Sequence, residues 1–293
     1  MSALLARHES GDPNFDCRCL TAPLDGSGDA INCVDLRRAV DELFRDPADV
    51  ALFHFSGHGT ANNLDGYLVG QDASRYNEGL AMTEVLKLAN SSRAAEVVIF
   101  LDCCHSGHLG NPPVINNERA LLREGISVLS ASRGEQVSVE TTDGGLFTSL
   151  VADALEGGAA DVLGDVTAPA IYAYVEGALG AWDQRPLFKS HLSRVLPLRK
   201  CRSPIDLAIV RELPIIFPVP AEDMPLSPEF EPSSGCADPA KCAVFAKLQA
   251  LSRCHLVVPL HVAHMYEAAM QSTGCKLTAT GRYYWRLALN GRI

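Results

Sequence analysis

Apolar residues in the first two thirds of the chain follow two rhythms. Residues 50–55, 97–101 and 125–130 are short, nearly continuous runs of Val, Ile, Leu, Phe and other small or apolar residues. Such runs are the pattern of strands buried on both faces, as in a parallel sheet. Between them the apolar positions recur at helical spacing. Val34, Leu36, Ala39, Val40, Leu43 and Phe44 are the clearest set, and residues 83–89 and 146–155 behave similarly. Strands alternating with helices predict an α/β fold, a mostly parallel sheet flanked by helices on both faces. No internal repeat is present.

The rhythm stops at a proline-rich run. Pro214, Pro218, Pro220, Pro225, Pro228 and Pro232 fall close together and end at Ser233, Ser234 and Gly235. Proline continues neither a helix nor a central strand, so 214–235 reads as an extended linker. This divides the chain into a domain at 1–213 and a small module at 236–293. The module reads as a helix over 242–252, an apolar segment at 256–258, a helix over 262–271, and a last helix beginning near Thr278. That plan predicts a small helical or winged-helix-like module.

Charge sharpens the division. The 293 residues carry 25 Lys and Arg against 35 Asp and Glu, a net of −10. Residues 236–293 hold seven basic and two acidic side chains, leaving 1–235 at −15. Charged residues make up 20% and apolar ones 47%, a core-forming composition and not that of a disordered chain. The acidic balance argues against general nucleic-acid binding. No apolar stretch is long enough for a membrane span, and residues 1–18 lack a signal-peptide layout. Ten cysteines at irregular spacing then read as reduced thiols in a cytoplasmic protein. Cys236, Cys242, Cys254, His255, His261 and His264 make the best zinc candidate, but no C-x2-C pair is present, and small buried hydrophobes are the better reading.

Two loops carry the candidate chemistry. Ser56-Gly57-His58-Gly59 follows one predicted strand and Asp102-Cys103-Cys104-His105-Ser106-Gly107 follows another. Sites of open parallel sheets gather at the carboxyl ends of strands. A thiolate there is an effective nucleophile, and an imidazole can take its proton and pass one to a leaving amine. Glycines beside the His allow backbone N–H groups to face an oxyanion. The bland alternative is a packed Cys and a solvated His. Two glycine-flanked loops at matching strand ends weigh against it.

His58 and Cys104 stand 46 residues apart, close to the spacing of about 50 in the caspase signature. The two motifs, with 68–73, 130–136 and 145–148, resemble the caspase-like cysteine peptidases of clan CD, family C14. Within that family they look most like the metacaspase and bacterial orthocaspase branch. The resemblance covers roughly residues 12–200. It implies the caspase-like fold, Cys104 as nucleophile, His58 as base and acid, and the amides of Gly59 and Cys104 as the oxyanion hole. Cys103 is then a buried neighbour and His105 not the base. Asp102, two residues before the nucleophile, and Ser56 would line a pocket for P1 Arg or Lys, a charge-assisted pairing. Glu135 is either at the rim of that pocket or on a solvated loop. His54 precedes His58 by four residues, but on a strand this is no metal pair. The resemblance implies no cofactor for the chemistry, with calcium activation known in parts of the family.

The family fold opens with an apolar-Leu-Ile-Gly strand and an Asn-Asp-Ala-type loop that supplies a second pocket carboxylate. Neither occurs here. Residues 1–8 read as the helix that follows them and 15–20 as the second strand. The missing strand would lie inside the sheet beside the catalytic one. Its loss would leave unpaired backbone, so a start placed too late or a truncated chain is the favoured expectation. The expected function is therefore a cytoplasmic cysteine endopeptidase acting on protein or peptide substrates, in bacterial stress or antiphage defence by analogy. Residues 236–293 would be a regulatory module that docks a protein partner. The alternatives are an inactive scaffold that keeps the fold, and a DNA-binding regulator using Arg282, Arg286 and Arg292.

Overall fold

A computed structural model of the chain describes residues 1–22, 29–62, 65–74, 77–103, 122–131, 140–141, 144–179 and 185–293. It contains two compact units, Met1–Arg202 and Ser203–Ile293. The first unit opens with α1 (Ser2–Ala6) and α2 (Cys33–Arg45), followed by strand β1 (Val50–Ser56). A small antiparallel sheet comes next, β2 (Gly59–Ala61), β3 (Gly66–Leu68) and β4 (Leu80–Ala81), then α3 (Met82–Ser91). Then follow β5 (Glu96–Asp102), β6 (Ile126–Ser130), and the short pair β7 (Glu140–Thr141) and β8 (Gly144–Gly145). The unit finishes with α4 (Leu146–Asp153), β9 (Asp165–Thr167), α5 (Ala168–Ala178), β10 (Leu187–His191) and β11 (Pro197–Lys200).

Among the described residues the main sheet runs β1-β5-β6-β10. β1, β5 and β6 are parallel, and β10 closes the far edge antiparallel to β6. The predicted strands and the parallel core are therefore present. Every residue of β5 is buried, which explains the uninterrupted apolar run Val97–Leu101 between Glu96 and Asp102. Side chains alternate between two layers. Val97, Ile99 and Leu101 join Ala51 and Phe53 against the Leu36, Val40 and Phe44 stripe of α2 and against α3. Val98 and Phe100 face the opposite layer, with Phe147 and Val151 of α4 and Ile171 and Val175 of α5. The α2 stripe repeats every four residues, and Asn32 caps the helix by accepting from the Asp35 amide at 2.9 Å.

Residues 15–20 are not the expected strand. Asp16 to Leu20 are exposed and belong to no strand, and Arg18 pairs with Glu42 of α2. Alternation would put Phe15, Cys17 and Cys19 on one face, but only Phe15 packs against the core, and Cys17 and Cys19 are exposed. Among the described residues β1 is the edge strand on that side of the sheet.

The second unit holds α6 (Leu207–Arg211), α7 (Leu213–Ile216), α8 (Pro239–Arg253), β12 (Val257–Pro259), α9 (Met265–Met270), β13 (Cys275–Leu277) and α10 (Ala279–Leu289). β12 and β13 pair antiparallel. Thr278 caps α10, its hydroxyl accepting from the Gly281 amide at 2.9 Å. The proline-rich run is built into this unit and does not form a linker. Phe217 and Leu226 are buried, Met224 exchanges both backbone hydrogen bonds with Cys275 at 2.8 and 2.9 Å, and Trp285 Nε1 donates to the Phe217 carbonyl at 2.8 Å. Pro214 and Pro228 stand in the first turns of α7 and of a short 3-10 turn at Pro228–Phe230, where a missing N–H costs nothing, while the apolar residues between the prolines supply the burial. With this boundary the unit contains eight basic and eight acidic residues, so its net charge is zero. Lys241 pairs with Glu229 and Lys247 with Glu212, joining the basic module to the acidic segment before it.

Candidate active site

The carboxyl ends of β1 and β5 lie side by side. Their register pairs Ser56 with Asp102, and the Gly57 amide extends the pairing by donating to the Asp102 carbonyl at 3.1 Å. The two loops picked out in the sequence thus leave the sheet from adjacent strand ends. Ser56 is exposed where β1 ends. His58 is exposed too, and its carbonyl accepts from the Val69 amide at 3.0 Å, which ties the loop to the strand-to-loop passage after β3. Gly59 is buried in β2 opposite Leu68. Cys103 is 1% exposed and packs with the layer under α2 and α3, as a small core residue should. Cys104 and Glu135 lie outside the described residues. The structure therefore brings Ser56, His58, Gly59 and Asp102 to one edge of the sheet and gives no distance from His58 to the Cys104 thiol.

Asp102 is only 5% exposed. The alternation of β5 turns it away from Cys103, toward the layer of α4. There its Oδ2 accepts from the Thr148 amide at 3.1 Å and from the Thr148 hydroxyl at 2.6 Å. Thr148 sits in the first turn of α4, where backbone N–H groups are unsatisfied and the helix dipole favours a negative charge. Gly145 makes this approach feasible. A Cβ at that position would stand 2.0 Å from Asp102 Oδ2. His54, on the same face of β1 as Ser56, places Nε2 3.3 Å from Thr148 Oγ1. Burial, helped by the N-terminal amine, lowers the pKa of His54 to about 4. The motif at 145–148 was visible in the sequence without an assigned role. Period two puts residues 54 and 56 on one face, but nothing in the sequence pairs either with Thr148.

Among the described residues no group of three or more His, Cys, Asp or Glu side chains is placed to hold a metal ion, so Cys236, Cys242, Cys254, His255, His261 and His264 do not converge. No helix among the described residues is long and apolar enough to cross a membrane.

No curated protein matches the sequence. Among solved structures, the protein GSU0716 from Geobacter sulfurreducens is similar at 15% identity and a TM-score of 0.41, over 59% of this chain and 80% of that one. Caspase-1 from Spodoptera frugiperda is similar at 14% identity and a TM-score of 0.39, over 57% of this chain and 72% of that one. The family model for the caspase domain of the C14 peptidases matches residues 16–197. That span includes every strand of the main sheet and both strand-end loops, and the chain belongs to the caspase-domain family of cysteine peptidases.

Proposed function

We propose that the chain is a cysteine endopeptidase that cleaves proteins or peptides after Arg or Lys. The supporting observation is the pairing of strand ends, with Ser56 opposite Asp102 and Gly57 bonded to the Asp102 carbonyl. It sets the His58 loop beside the segment that continues into Cys104. In this reading the Cys104 thiolate attacks the scissile carbonyl and His58 carries the proton to the leaving amine. The amides of Gly59 and Cys104 hold the oxyanion, and water releases the acyl-enzyme. Asp102 and Ser56 receive the basic P1 side chain. The proposed steps need no metal, and calcium enters this reading only as an activator. The cysteine usage fits a reducing cytoplasm. The assignment to bacterial stress or antiphage defence rests on the resemblance alone. Residues 203–293 are the part of the chain proposed to dock a regulatory protein, and their balanced charge speaks against nucleic acid as that partner.

Fluorogenic peptides with P1 Arg, Lys or Asp, with and without calcium, test the proposal. Arg and Lys peptides are expected to be cut, and Cys104→Ala or His58→Ala to lower kcat by about 10^3-fold or more. Preference for P1 Asp would overturn the assignment of Asp102. Activity that survives Cys104→Ala would overturn the dyad. A folded chain that cuts none of the peptides would favour the scaffold.

A further inference from the structure

The Asp102 carboxylate is oriented by more than its own strand. Its Oδ2 takes two hydrogen bonds from one residue, the amide of Thr148 at 3.1 Å and the hydroxyl at 2.6 Å. A threonine hydroxyl has a single proton, and an ionised carboxylate only accepts. The Thr148 proton therefore points at Asp102. Thr148 Oγ1 can then only accept from its other neighbour, His54 Nε2, 3.3 Å away. That requires a proton on Nε2, and because burial holds the His54 pKa at about 4, the donor near neutral pH is the neutral imidazole in its Nε2–H tautomer. A relay of donors runs from β1, through the first turn of α4, to the carboxylate at the end of β5. Gly145 leaves the space in which it closes.

We propose that Thr148, seated by His54, is the positioning residue that sets the plane of the Asp102 carboxylate for a P1 guanidinium. The inference rests on the reading of Asp102 as the P1 acceptor. A guanidinium meets a carboxylate best through two parallel bonds, so it is sensitive to the carboxylate's rotation, whereas an ammonium behaves as a point charge. Loss of the Thr148 hydroxyl therefore weakens recognition of Arg more than of Lys, and leaves a neutral P1 residue unaffected.

Binding separates this from catalysis. Full-length Cys104→Ala protein is titrated with a six-residue product peptide ending in arginine, and with the same peptide ending in citrulline, the neutral isostere. The arginine peptide is expected to bind more tightly. Adding Thr148→Val should weaken it by about tenfold or more, the scale of a lost bond to a buried charge. The citrulline peptide should be unchanged, Thr148→Ser should restore affinity, and His54→Phe should give a smaller loss. In the chain with Cys104 intact, Thr148→Val should raise KM for P1 Arg with kcat nearly constant, and should lower the Arg-to-Lys preference. Equal weakening of both peptides would make Thr148 a structural residue and overturn the inference, as would a Thr148→Val protein that binds arginine normally. Arginine binding that depends on Thr148, in a chain that cuts nothing, would uphold the inference and overturn the peptidase reading. Equal affinity for arginine and citrulline from the outset would overturn both the inference and the Asp102 assignment, while cleavage after another residue would leave the peptidase reading intact.

Discussion

His54 refuses its proton until about pH 4 in the folded chain, whereas a solvated imidazole takes one up near 6.5. Between those values the unfolded chain binds the proton and the folded chain does not. The stability that His54 contributes is therefore complete above about pH 6.5, is lost as the pH falls toward 4, and changes no further below that. The gap corresponds to roughly 3 kcal/mol. Urea unfolding at pH 7.5 and pH 4.5 should show the drop, and His54→Phe should remove that part of it; an identical drop in the variant would place the titration elsewhere. Gly145 makes the second prediction at this scale. Its would-be Cβ lies 2.0 Å from a carboxylate oxygen that cannot retreat without losing Thr148. Gly145→Ala should cost about 1–3 kcal/mol in urea unfolding, the usual scale for overpacking. A neutral substitution would mean that the start of α4 can slide away from β5.

At the scale of elements, what the sequence revealed depended on how much of each residue's fate was local. β5 was legible because all seven of its residues are buried, so the run Val97–Leu101 between its acidic ends had to be apolar throughout. α2 was legible from its stripe of Leu36, Val40 and Phe44. The strand ends that carry the site were legible as well, because glycine and histidine after an apolar run have few other uses. Thr148 was not, since its role depends on β5 meeting α4 from 46 positions away. Residues 15–20 misled because the alternation of Phe15, Cys17 and Cys19 looks like a strand face, whereas only Phe15 is packed against the core. The prolines of 214–235 misled in the opposite sense: they report backbone shape and not exposure, and Phe217 and Leu226 between them are core residues. The bond from Trp285 Nε1 of α10 to the Phe217 carbonyl measures this attachment. Trp285→Phe keeps a large aromatic ring but leaves that carbonyl without its indole donor, and should lower the stability of the second unit by about 1–2 kcal/mol. If the urea midpoint of that unit does not move, water replaces the indole and the strap is not structural.

For the whole molecule, the boundary decides what each part can do alone. His58, Asp102, Cys104 and Thr148 all belong to Met1–Arg202, as do both helical layers around the main sheet. If the proposed chemistry is right, a fragment of residues 1–202 should retain cleavage of short P1 Arg peptides. Residues 203–293 should fold separately, because the segment before α8 supplies Phe217, Leu226 and the Met224 pairing to β13. Cutting instead at 236 removes those contacts and strips Lys241 and Lys247 of Glu229 and Glu212. The shorter piece, at +5, should then unfold without a cooperative transition and bind DNA weakly and in a salt-dependent way, as any unfolded basic chain does. The longer one, with eight charges of each sign, should melt cooperatively and leave DNA alone. Circular dichroism melts and gel shifts on the two pieces compare these outcomes directly. Cooperative melting of 236–293 would restore the proline run to the status of a linker. Salt-dependent DNA binding by folded 203–293 would show that its basic residues gather on one face despite a net charge of zero.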